Sequence, residues 1–139
     1  MAALEHGGVT PVARSPIIVT DPLGPSDRQF ANAVIKGRWE GTPAELLRLC
    51  KAIERSFGRR KGRRWGARVI DLDIIAVNGL IVRQRNFTLP HPAMQARIFV
   101  LGPMAKVWPE WRHPVLRRTV RQLTAMLRKA ENRPKNRPT

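Results

Sequence analysis

Tyrosine is absent, cysteine occurs once, at Cys50, and 10 acidic residues face 26 basic ones in a chain of 139. One cysteine excludes an internal disulfide, and with His6, His91 and His113 scattered along the chain a metal site of the Cys/His type is excluded too. No apolar run approaches the ~20 residues of a membrane span. The opening residues do not read as a secretory signal, so a cytoplasmic location is expected. No Gly-x-x-x-x-Gly-Lys-Ser/Thr loop is present, and any nucleotide phosphates must be met by side-chain cations instead. The shortage of acid leaves a net charge of +16, which favours nucleotides, nucleic acid or an acidic surface as partners. Taken alone, that charge points first to nucleic acid.

What is present is concentrated between Gly58 and Ile75. Six of the ten positions from Arg59 to Arg68 are Lys or Arg, and Gly58, Gly62 and Gly66 make the stretch a poor helix and a candidate mobile loop. The segment Val69 to Val77 then alternates apolar and acidic residues. Side chains of a strand alternate faces with period two, so Asp71 and Asp73 share one face while Ile70, Leu72 and Ile74 take the other. Their Cα atoms would lie roughly 6 to 7 Å apart, close enough for both carboxylates to meet hard cations such as Mg²⁺. Flexible cations facing fixed anions suit a metal–polyphosphate substrate. A nucleic-acid backbone is a poorer match, because the two carboxylates would repel it and the aromatic-basic interleaving of a single-strand platform is missing.

With 42% hydrophobic residues the chain can build one core, and a single domain is expected over residues 1–130, followed by a disordered basic tail at 131–139. Met1 to His6 reads as the last turns of a helix stopped at Gly7-Gly8. Val9 to Thr20 reads as a strand with an edge position or bulge at its prolines, and Phe30 to Trp39 as a second strand. Thr42-Pro43-Ala44-Glu45 is a helix start with a capping box. Leu46, Leu49, Cys50, Ile53 and Phe57 follow helical spacing, which makes Cys50 a core residue, with Glu54 beside that stripe. Asn78-Gly79 predicts a hairpin turn, Pro92 predicts a helix from Ala93, and Val120, Leu123 and Leu127 suit a closing helix.

The run from Arg64 to Ile75, Arg-Trp-Gly-Ala-Arg-Val-Ile-Asp-Leu-Asp-Ile-Ile, resembles the signature of the 6-hydroxymethyl-7,8-dihydropterin pyrophosphokinase family. Pro22 to Pro25 followed by Phe30-Ala31-Asn32, then Leu89-Pro90-His91-Pro92, then Arg97-Ile98-Phe99-Val100-Leu101 with Pro103, keep the family's order, so the resemblance spans roughly residues 9 to 125. It implies a ferredoxin-like α+β sandwich with an antiparallel sheet and additional C-terminal helices. The family's opening strand is expected to be missing, with Met1 to His6 as the tail of its first helix. The implied activity is transfer of pyrophosphate from ATP to a pterin alcohol in folate synthesis, with two Mg²⁺ ions held by Asp71 and Asp73. Arg59 and Arg68 are then the catalytic cations, and Lys61, Trp65, Thr88, His91 and Arg97 the ATP-binding residues. Thr20, Leu23, Phe30, Asn32, Trp65 and Phe99 would bind the pterin. An amide such as Asn32 offers a donor and an acceptor to the edge of a heterocycle, and Phe30 can pack on its face. A monomer is expected, with nonspecific nucleic-acid contact from the charge. The other readings are an inactive truncated homologue and a basic nucleic-acid-binding protein.

Overall fold

Thr42 begins the longest helix of the computed structural model, which describes residues 1–20, 30–61 and 70–133, the side chains at 20 and 59–61 excepted. The Thr42 hydroxyl accepts the Glu45 amide hydrogen at 3.1 Å and Glu45 Oε1 accepts that of Thr42 at 2.8 Å. This reciprocal pair satisfies two of the donors that a helix N-terminus leaves free. The Thr42 amide hydrogen bond to the carboxylate, with the Thr42 hydroxyl beside it, holds the Glu45 carboxyl below its usual range. Helix α2 runs from there over Pro43–Lys61 and buries Cys50 and Ile53. Burial pushes the Cys50 thiol up, helped by the charges of Glu54 and Asp73 against that of Lys51. It is a packing residue, as its spacing predicts.

Ahead of α2, the short helix α1 (Ala2–His6) ends at Gly7, and it is Gly8, with φ +108°, that takes the conformation closed to other residues. Strands β1 (Thr10–Arg14) and β2 (Ile18–Thr20) return as β3 (Phe30–Asn32) and β4 (Ile35–Arg38). β1 pairs antiparallel with β4, and β2 with β3. The expected pair of long strands is thus broken twice. Register shifts between Pro11 and Ala13, as a proline without an amide donor dictates. Between the two ladders, the Ser15 hydroxyl accepts the Val34 amide hydrogen at 2.9 Å, and the Ser15 amide donates to the Val34 carbonyl.

Beyond residue 70 the chain stays extended to Val77 and turns at Asn78-Gly79, where Leu80 N donates to Val77 O and Asn78 has φ +49°. The expected hairpin does not follow. Val82–Gln84 (β5) pairs instead with Phe87–Leu89 (β6) across Arg85-Asn86. A single helix from Ala93 is also corrected. Met94–Ala96 forms one tight 3₁₀ turn, Arg97 is extended, and α3 spans Ile98–Val107. Met94, Leu101 and Met104 are buried in one cluster across this break. Helix α4 (Val120–Glu131) opens with a second capping box, Thr119 with Gln122, and adds Val120 and Leu123 to the same core. Each fully buried side chain of this size contributes about 1.5–3 kcal/mol relative to exposure. The expected tail at 131–139 overlaps the end of α4 at Glu131 and otherwise lies largely outside the described residues.

Trp111 ties this core to the turn, its indole N–H donating to Asn78 O at 2.6 Å. Behind it His113, 6% exposed, uses Nδ1 to accept the amide hydrogens of Val115 at 3.1 Å and Leu116 at 3.0 Å. Protonating Nδ1 would break both bonds, and burial already pushes the imidazole below its ordinary value. A base whose folded value lies below the unfolded one contributes stability that is fully present above the unfolded value, near 6.5, and is lost as pH falls through the folded value. Thermal melts should therefore drop between pH 7.5 and 5. In His113→Asn, where the amide oxygen can accept in place of Nδ1, that drop should shrink; an unchanged pH profile would remove His113 as its source.

Candidate active site

A cleft of about 290 Å³ lies between β4 and the extended stretch 71–76, backed by α2 and α3. Two anchors hold the acidic side of the cleft. Ile75 and Ala76 pack against the core of Met94, Leu101 and Val120, and Ile75 O accepts the His91 amide hydrogen at 2.7 Å. Nearer the carboxylates, the amide of Leu72 donates to Glu54 Oε2 at 2.6 Å. The alternation read from the sequence is kept: Asp71 and Asp73 are exposed and Leu72 is half-buried between them. No ladder forms, however, because no strand pairs with this stretch among the described residues.

Asn32, Asp71, Asp73, His91, Arg97 and Phe99 all line this one cleft. Both aspartates are exposed, and neither makes a hydrogen bond or ion pair with a described residue. His91 Nδ1 accepts the Ala93 amide hydrogen at 3.2 Å, which directs Nε2 away from the backbone. The Arg97 guanidinium lies 5.8 Å from the centre of the Phe99 ring, a cation–π contact that fixes a charge beside an aromatic face. Other candidates stand apart. Phe30 is exposed on β3 and Thr88 sits on β6, its hydroxyl 3.4 Å from Gln84 O, and neither lines the cleft. Thr20 ends β2 opposite Phe30. Leu23, Trp65 and Arg68, and the side chains of Arg59 and Lys61, lie outside the described residues.

Sequence reasoning did not single out two further residues of the cleft. Lys36 Nζ lies 4.9 Å from the centre of the Trp108 ring, and both side chains reach the cavity. The alternation of Asn32, Val34 and Lys36 would have suggested the lysine; nothing local to Trp108 marks it.

The class defined by these elements is an α+β protein with small antiparallel sheets, C-terminal helices and a cleft lined by paired carboxylates, a histidine and an arginine. The sequence matches the family model for 7,8-dihydro-6-hydroxymethylpterin-pyrophosphokinase (HPPK) over residues 1–109. The chain belongs to this family. It is 42% identical over 113 residues to the 2-amino-4-hydroxy-6-hydroxymethyldihydropteridine pyrophosphokinase of Methylorubrum extorquens, covering 78% of this chain and 72% of that protein. Similar proteins of the same name occur in Bacillus subtilis, 39% identical over 74% of this chain and 62% of theirs, and in Synechocystis, 40% identical over 73% and 52%. The matched part thus spans less than two thirds of the length of these last two relatives.

Proposed function

We propose that the chain transfers pyrophosphate from ATP to 6-hydroxymethyl-7,8-dihydropterin, giving AMP and the pterin diphosphate in tetrahydrofolate biosynthesis. The observation that carries this reading is the gathering of Asp71, Asp73, His91 and Arg97 in one cleft with Asn32 and Phe99, within a chain of this family. The hydroxymethyl oxygen attacks the β-phosphorus of ATP, the bond to the α–β bridging oxygen breaks, and AMP leaves. Such transfers depend on in-line positioning and on neutralising phosphate charge.

The donor set fits Mg²⁺. Two carboxylates on one face, without a hydrogen bond or ion pair to a described residue, offer hard oxygen ligands, and among the described residues no group of three or more His, Cys, Asp or Glu is placed to hold a metal by itself. That is the pattern expected when a cation keeps waters and takes its remaining ligands from substrate phosphates. When bound, with two ions in this reading, it would neutralise the triphosphate. Arg97 and His91 supply positive charge and a donor to phosphate oxygens from the α3 side. Arg59, Lys61 and Arg68 bring further cations, and Trp65 covers the bound substrates. Asn32 reads the edge of the pterin and Phe99 packs on its ring, with Thr20 and Leu23 bordering the same substrate. Residues 10–20, 30–38 and 70–77 are strands of a ferredoxin-like sandwich in this reading, and the cleft beside β4 is the place of one more strand. The protein acts as a cytoplasmic monomer; no described helix is long and apolar enough to cross a membrane.

Arg68→Ala separates this reading from one based on charge alone. Turnover should fall at least about a hundredfold, the scale for losing one stabiliser of transition-state charge. Nonspecific DNA affinity should barely change, because one cation among many contributes little. Measured by AMP production and a DNA titration, intact turnover with weakened DNA binding would make the protein a nucleic-acid binder.

A further inference from the structure

We propose that Glu54 is the positioning residue for the paired carboxylates, a role that rests on their reading as the cation ligands. Leu72 lies between Asp71 and Asp73, and its amide hydrogen goes to Glu54 Oε2 at 2.6 Å. The stretch needs such a fixing point. No described strand pairs with it, and its other backbone hydrogen bonds among the described residues, the His91 amide to Ile75 O and the Leu80 amide to Val77 O, lie beyond Asp73. Among the described residues, Glu54 is the hydrogen-bonding anchor of this stretch on the side of Asp73 away from Ile75.

Glu54 itself is well fixed. It lies on α2 one residue after the buried Ile53, its side chain is 17% exposed, and Oε1 meets Lys51 Nζ at 3.4 Å. Glu54 brings a further negative charge to the segment that carries Asp71 and Asp73, and the Lys51 charge with the Leu72 N–H offsets that cost. The Leu72 bond is the contact that turns the helix position into a position for both aspartates. Groups that orient metal ligands in this way typically account for about 10- to 100-fold in affinity or activity when removed.

The experiment compares Glu54→Ala, Glu54→Asp and Glu54→Gln in the full chain. Glu54→Ala should raise the Mg²⁺ concentration for half-maximal AMP production about tenfold or more, and Glu54→Asp, one methylene short of Leu72, should do the same. Glu54→Gln keeps an oxygen at the accepting position and should restore most of the loss. Without metal, hydrogen exchange at the Leu72 amide should be fast in the Ala and Asp variants and slow in the parent and Gln variants. A merely structural role would lower the melting temperature of all three without moving the Mg²⁺ requirement of the folded fraction. An unchanged Mg²⁺ curve with slow Leu72 exchange in Glu54→Asp would overturn the proposal, also if Glu54→Ala does not fold. Asp73→Asn measured in parallel tells the two readings apart. If it is inactive while the Glu54 variants behave like the parent, only Glu54 loses its role; if it is fully active, the cation site falls and the proposal with it.

Discussion

Asp71→Asn and Asp73→Asn are each expected to lose Mg²⁺-dependent pyrophosphate transfer by at least about a hundredfold while keeping the fold. Each change removes a formal charge and a hard oxygen ligand together, where stabilisation of transferring phosphate charge is worth several kcal/mol. The fold should not notice. Both side chains are exposed and neither has a hydrogen bond or ion pair with a described residue, so the cost in stability should stay within about 0.5 kcal/mol. AMP production across a Mg²⁺ titration, beside a thermal melt of each variant, checks both halves. Full activity in either variant would remove that aspartate from the site, and a collapsed melt would make its role structural.

Legibility in the sequence followed how local the physics is. The start of α2 was readable because a capping box needs only Thr42, Glu45 and the backbone between them. The facing of Asp71 and Asp73 was readable because alternation belongs to an extended chain whether or not it finds a partner. Pairing is a different matter. Ile70 to Val77 carries a strand pattern without a ladder, since a ladder depends on a neighbour that the pattern does not contain. Arg85-Asn86 gave no glycine to announce the β5–β6 turn. Pro92 is a good first residue for a helix, yet the chain makes only one 3₁₀ turn before the extended Arg97, and α3 begins at Ile98. The cleft residues came from four separate stretches, and the resemblance supplied their common role. The structure then set Phe30 and Thr88 apart from the others, a separation that no local motif expresses.

A chain extended ahead of Met1 by a strand-forming segment and a helix is expected to melt higher and turn over faster than these 139 residues alone. The cleft is bordered by two extended edges. β4 pairs with β1 and with no other described strand, and across the cavity the backbone of Asp73, Ile74 and Ala76 has no hydrogen-bond partner among the described residues. A strand running between them would gain a ladder on each side. It would also cover Val34, Ile75 and Val100, which are only half-buried although they pack against the core. Unpaired backbone groups cost roughly 1–3 kcal/mol each when shielded from water, set against a total stability of typically about 5–15 kcal/mol. Satisfying several of them should raise the melting temperature by on the order of 10 °C. Activity should rise with it, because the same strand would brace the segment that carries Asp71 and Asp73. Melting curves and AMP production compared between the two chains test this directly. Equal melting temperatures and equal turnover would show that the cleft holds no strand, and the ferredoxin-like reading of the sheet would go with it.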